Sequence, residues 1–304
     1  MLPQRHSVDG LTVIAIAVMA YAGAYISHEI IGHCGVALVV GTKCKIISST
    51  NIPLASMVAM WKYKIIVTAG CAANFAIGLL CLWLLRDSRI SQPASRYFFW
   101  LLMSVNLFLA SSYIAAAPII KFGDSYILIR DLSGQWFWRS VVSLMGAGLV
   151  YFCFQVCRRE LGRLLGSGGP ATSSIARRLI VPAYFVGGIV TVTSAFFSEL
   201  DQRLAQLQAA GGTFGLTVWL LLLPFVITGP AAGEVFQLRR STGWIIAGAL
   251  TAIIFICVLG PGIAIATGKS VVNRQFPSSQ FSAISPQRGE RDCTTFGAFY
   301  NVAS

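Results

Sequence analysis

Seven stretches of this chain are apolar on every face: residues 11–40, 65–85, 97–120, 136–157, 179–198, 214–232 and 244–267. A helix needs about 20 such residues to cross a hydrocarbon core of about 30 Å. The pattern therefore predicts an all-α, polytopic helical membrane protein with about seven transmembrane helices. Barrel strands do not compete, because they run about ten residues with period-two polarity. The first run follows Arg5, but it is too long for a signal peptide and holds a polar cluster of its own, so a retained helix is expected. The longest polar connections are 41–64 and 158–178, the second broken by Gly166, Gly168, Gly169 and Pro170. The tail, 269–304, is rich in Ser, Gln, Pro and Gly and offers little to bury. Three parts follow: 1–132 with three helices and the polar cluster, 133–268 with four more, and 269–304 as a polar tail.

Composition agrees with a membrane class: 56% hydrophobic, 11% charged, mean hydropathy +0.71. The net charge of +12 is carried by residues in the connections, where anionic lipid headgroups, not nucleic acid, are the expected partner. An integral, multi-pass location follows. With seven spans, eleven Lys and Arg fall on the N-terminal side and twelve on the other, so the positive-inside rule gives no orientation. Of eight cysteines, Cys34, Cys71, Cys81, Cys153 and Cys257 lie in predicted spans and read as small apolar packing. Cys44 and Cys293 lie in the polar connections and are a pair able to meet outside the membrane.

The chemistry sits in the first span, in Ser27-His28-Glu29-Ile30-Ile31-Gly32-His33-Cys34, which holds two of the three histidines of the chain. A charged side chain near a bilayer centre costs about 2.5–3.5 kcal/mol even on the lenient insertion scale. A metal ion is the simplest compensation. Two imidazoles on one helix bind Zn²⁺, and a Glu between them serves as general base toward water in the fourth position. The usual spacing is i, i+4, and Gly32 makes it i, i+5. On a straight α-helix that sets the rings about 140° apart. A π-bulge, with its wider turn, returns i and i+5 to nearly one face, and Gly32 is the place for it.

The string from His28 to His33 is similar to the His-Glu-x-x-Gly-His zinc motif of the soluble dipeptidyl-peptidase III family. Its surroundings resemble the site-2 protease family of intramembrane zinc metalloproteases in three segments within 11–132. These are the His-Glu cluster; Ala69-Gly70-Cys71-Ala72-Ala73-Asn74, like the family's Ala-Gly-Pro-x-x-Asn; and Asn106 through Pro118 to Asp124, like its Asn…Pro…Asp-Gly. The chain departs from that pattern at the inserted Gly32, at Cys71 in place of proline, and at Ser125 in place of glycine. The resemblance implies a metalloprotease-like core in 1–132 with His28, His33 and Asp124 on Zn²⁺, Glu29 as catalytic base, Asn74 holding substrate, and a transmembrane protein substrate. It also implies a β-segment after the first helix, near 43–48, with an edge for an unwound substrate strand.

Span direction groups these motifs independently. His28 and His33 lie past the middle of span one, Asn74 early in span two, and Asp124 just after span three, so all face one leaflet. His33 falls roughly 11 Å beyond the middle of the first run. Asp124 must turn back toward it, with Pro118 and Gly123 as the breaks.

Other readings stand beside this one. The histidines hydrogen-bond neighbouring helices around a neutral Glu29, or Glu29 pairs with a loop lysine in the cation or proton path of a transporter or channel. A zinc hydrolase acting on lipid shares the metal and differs in substrate, and an inactive relative binds transmembrane partners without cleaving them. Asp124 has Lys121 for a surface ion pair, and Asn74 suits a plain interhelical hydrogen bond. Glu199, Asp201, Glu234, His6 and Cys34 rank below Asp124 as further ligands.

Overall fold

The computed structural model describes residues 8–87, 89–166, 170–198, 202–227 and 236–265. They belong to one unit, Met1–Ala266. His6, Glu199, Asp201, Glu234, Cys293 and the tail 269–304 lie outside the described residues. The described residues are mostly helical, as expected. Among them six helices are long and apolar enough to cross a membrane: Gly10–Val39, Met60–Arg86, Pro93–Ile120, Gln135–Leu165, Thr172–Ala195 and Gln202–Val226. The seventh expected span is a shorter apolar helix, Thr242–Cys257. Gly260-Pro261-Gly262 stops it, with Gly262 at φ +93, a conformation that suits glycine. The sixth span starts earlier than its apolar run, because the amphipathic stretch before residue 214 is itself helical.

The first long helix is composite: α1 (Gly10–Ile26), an eight-residue π-helix (Ser27–Cys34), and α2 (Gly35–Val39). Asp9 caps α1, accepting from the Thr12 N–H at 2.9 Å and from the Thr12 hydroxyl at 2.7 Å, and these bonds hold its carboxyl below the usual carboxylate range. After α3 (Met60–Arg86) comes α4 (Pro93–Ile120), whose flank Tyr97, Trp100, Leu101, Val105 and Phe108 is wholly enclosed. It packs on α1, on α3 and on α6 (Gln135–Leu165). Later helices include α7 (Pro170–Ala195), α8 (Gln202–Ala210), α9 (Leu223–Val226) and α10 (Thr242–Cys257), and α1 packs against both α7 and α10.

Lipid tails are as apolar as the side chains between helices, so packing in a membrane relies on close fit and interhelical hydrogen bonds. The bonds are present. The Tyr25 and Thr213 hydroxyls meet at 2.8 Å, those of Tyr21 and Thr217 at 3.2 Å, and the Trp100 indole N–H donates to the Cys157 carbonyl at 3.1 Å. They tie the first composite helix to the sixth span and α4 to α6.

Three expectations are corrected on the face where α2 ends. Cys34 is not packing alone: it forms a disulfide with Cys44, and the pair are ten residues apart, close enough for one turn at Gly41 to bring them together. Pro118 does not break its helix, for α4 runs on to Ile120 and the chain turns at Lys121 (φ 55) and Gly123 (φ 91). The Arg139 guanidinium caps that end, donating from Nε to the Pro118 carbonyl at 2.6 Å and from Nη2 to the Ile119 carbonyl at 3.0 Å. The β-segment is present as β1 (Ile46–Ile47), but β2 (Ile263–Ala264) pairs with it antiparallel, Ile46 opposite Ala264.

Candidate metal centre

The π-turn that the i, i+5 spacing demands runs from Ser27 to Cys34. Gly32 sits where this helix crosses α3. A Cβ there would come within 2.6 Å of the Gly70 Cα and 2.7 Å of the Ala69 carbonyl oxygen, so only glycine allows the approach. The wider turn brings the His28 and His33 rings to one face, edge-on with centroids 4.7 Å apart. On α3, Gly70 faces both: a Cβ there would meet His28 Cε1 at 2.6 Å, His28 Nε2 at 2.7 Å and His33 Cε1 at 2.7 Å.

The turn at Gly123 delivers the third group. Asp124 opens α5 (Asp124–Ile129), and its Oδ2 stands 3.3 Å from His28 Nε2 and 3.4 Å from His33 Nε2. Four ligands at 2.0–2.1 Å from a tetrahedral zinc stand about 3.3–3.4 Å apart. Both histidine–aspartate spacings match that edge, and all three ligand atoms lie within 4.8 Å of one another. Asp124 Oδ2 is buried and meets the two Nε2 atoms at ion-pair distance without an aligned hydrogen bond, an arrangement that a shared ion would satisfy. Two imidazoles and one carboxylate with a fourth position left open is also the donor set of a catalytic rather than a structural zinc. Burial pushes the Asp124 carboxyl up, but the two facing imidazoles outweigh it and hold the group below the usual carboxylate range.

The far side of each ring sets which nitrogen is free. His33 Nδ1–H donates to the Ile66 carbonyl at 2.8 Å, leaving Nε2 as the ligand. His28 Nδ1 faces the Asn74 amide, 3.3 Å from Nδ2, while the buried Asn74 Oδ1 has no partner. Turning the amide end for end removes both difficulties: Oδ1 accepts the His28 Nδ1–H, and His28 Nε2 is freed for the ion. Asn74, expected at the substrate, lies against His28, a candidate metal ligand.

Glu29 is in the same π-helix, 8% exposed and within electrostatic reach of His28, His33 and Asp124. No hydrogen bond holds its carboxylate among the described residues. Asp124 faces the imidazoles and not Lys121, and Glu29 has no lysine partner among the described residues. Asn106 stays with its own helix, donating to the Leu102 carbonyl at 2.8 Å.

Two participants carry no sequence signal. The Ile66 carbonyl is backbone, and any residue type supplies it. Tyr113 places its ring edge-on to His28, centroids 5.8 Å apart, and its carbonyl accepts from Ser125 Oγ at 3.2 Å. Its hydroxyl fills the space beside Gly123, 2.5 Å from where a Cβ would be. An open, mostly apolar groove of about 490 Å³ is lined by Val36, Lys64, Ile65, Thr68, Ala69, Ala72 and Leu128. Each ligand-bearing element contributes to it: Val36 follows His33 by three residues and Leu128 follows Asp124 by four.

No protein-family model matches this chain, no curated protein matches it in sequence, and no solved structure matches its fold.

Proposed function

We propose that this protein is a zinc-dependent intramembrane metallopeptidase that cleaves transmembrane or membrane-proximal segments of other proteins. The observation that carries the reading is the meeting of His28, His33 and Asp124 with zinc-like spacings at one buried carboxylate oxygen. Each ligand comes with its own support: the Ile66 carbonyl for His33, Asn74 for His28, and the Gly123 turn for Asp124.

When bound, zinc supplies Lewis acidity, polarising a carbonyl and making water a nucleophile at neutral pH. Glu29 takes the proton of the attacking water on its carboxylate and passes it to the departing amide nitrogen. Side-chain exposures of about one seventh at His28, His33 and Asp124 leave a narrow approach to the centre, through which water and substrate must come. The peptide must be unwound there, because a helical amide is shielded by its own hydrogen bonds. The mostly apolar groove suits the side chains of such a segment.

The test is a pair of measurements on the purified protein with one equivalent of zinc and a transmembrane model substrate. Glu29→Gln should keep the zinc and lose at least 100-fold in cleavage, and His33→Ala should lose both. Cleavage by Glu29→Gln at the wild-type rate removes the base assignment, and unchanged zinc affinity in His33→Ala removes the ligand set.

A further inference from the structure

The positive-inside rule is silent for this chain, and the covalent structure beside the metal centre breaks the tie. Cys34 is the residue after His33 and the last of the π-helix, and its partner Cys44 lies on the connection beyond α2, with Cα atoms 5.8 Å apart. Both are buried, in a small apolar cluster with Ala37 and Ile66. Ile66 is also the residue whose carbonyl accepts from His33. The ligand is therefore held from two sides, by a covalent tie through its neighbour and by a hydrogen bond to α3. The loop between the cysteines is further closed by the Thr42 N–H donating to the Ala37 carbonyl at 2.9 Å and by Lys62 Nζ donating to the Val40 carbonyl at 2.9 Å.

Disulfides persist in oxidising compartments and are kept reduced in the cytosol. The Cys44 connection follows the first span, and the Asp124 turn follows the third, so disulfide and metal centre lie toward the same face and the N-terminus toward the other. We propose that the Cys34–Cys44 disulfide is a redox lock on the metal-bearing helix, and that the face carrying it meets an oxidising compartment. Substrate segments are then cut from the oxidising-side leaflet, while the connection 87–92 faces a reducing one.

The lock opens by exchange with a dithiol reductant. Its first thiolate attacks one cysteine sulfur and displaces the other as thiolate; its second thiolate resolves the mixed disulfide. Two electrons and two protons end on Cys34 and Cys44, and the reductant leaves as a disulfide. Once released, the end of the π-helix is free to relax toward α-helical register, which turns His33 away from His28. The lock half of the proposal rests on the zinc reading; the sidedness half does not.

Sidedness is tested on the full chain in intact cells whose outer face is oxidising. Met57 is exposed on the metal face and Ser91 on the other. Met57→Cys should react with a membrane-impermeant maleimide in intact cells, and Ser91→Cys only after the membrane is opened. Non-reducing digestion of untreated protein should yield the Cys34–Cys44 peptide. Reversed labelling, or free thiols at both positions, overturns the sidedness.

The lock is tested by zinc competition titration of oxidised, reduced and reoxidised protein. Reduction should weaken zinc at least tenfold, the loss expected when a contact that holds a ligand in place is removed, and reoxidation should restore it without refolding. Equal affinity in all three states overturns the lock. An oxidised protein that binds no zinc overturns the metal reading and the lock together, and leaves the labelling pattern to decide the sidedness alone.

Discussion

Gly70→Ala is the most discriminating perturbation of the centre, because the new methyl points at the ligands and not at the fold. Its carbon would stand 2.6–2.7 Å from three ring atoms, two on His28 and one on His33. Carbon contacts settle at about 3.5–4.0 Å, so the rings must retreat by about 1 Å. Zinc–nitrogen bonds of 2.0–2.1 Å tolerate errors of about 0.2 Å, and a retreat of that size breaks at least one. The atoms it would meet are all side-chain ring atoms, and off-rotamer shifts cost only about 0.5–1.5 kcal/mol. Zinc affinity should therefore fall at least 100-fold, about 2.7 kcal/mol, with thermal unfolding of the metal-free protein shifted by only a few degrees. Metal analysis and chelator competition on detergent-purified protein measure the first, and helix loss on heating the second. Zinc held within threefold of wild type by the alanine variant would refute the placement of both rings against α3.

Asn74→Asp, which can only accept from His28, should hold zinc at least as tightly as wild type, whereas Asn74→Leu should weaken it about 10- to 100-fold; a large loss in the aspartate variant would mean that the amide donates. Deletion of Gly32 restores the common i, i+4 spacing but removes the residue that lets the π-helix cross Gly70, so zinc binding should be lost, and a gain of zinc affinity or of cleavage would show the π-turn to be an obstacle. Tyr25→Phe and Thr213→Val form a double-mutant cycle across the first and sixth spans; the coupling should be about 0.6 kcal/mol, the usual size for hydrogen bonds between membrane helices, and zinc affinity should not change.

The membrane class and the run of helices were legible because hydropathy over 20 residues is a coarse signal that survives boundary errors. The π-turn was legible too, since two histidines five apart on one helix share an ion only if the helix widens. What escaped lies in turns and in backbone. A proline inside an apolar run reads as a break, yet α4 runs past Pro118 with its last carbonyls capped by Arg139, a residue in a different helix. The Cys34–Cys44 bond escaped because a cysteine inside a span reads as packing, while the short α2 and the turn at Gly41 bring the chain back within ten residues. The Ile66 carbonyl has no residue type to betray it.

Gly32 and Gly70 act as one device. A π-turn lengthens the helix perimeter by one residue, and the residue that fills it must occupy the inside of the crossing with α3 or be pushed to the lipid. Gly32 occupies the inside, with its missing side chain facing the Gly70 backbone, and Gly70 in turn leaves the room that the two imidazoles fill. Either glycine alone gives no site: without Gly32 the helices stand off and Ile66 no longer reaches His33, and without Gly70 the rings collide with α3. The i, i+5 spacing is therefore coupled to a glycine on the neighbouring helix, and the coupling explains how a sequence with one residue too many for a common zinc helix still brings both imidazoles to one carboxylate.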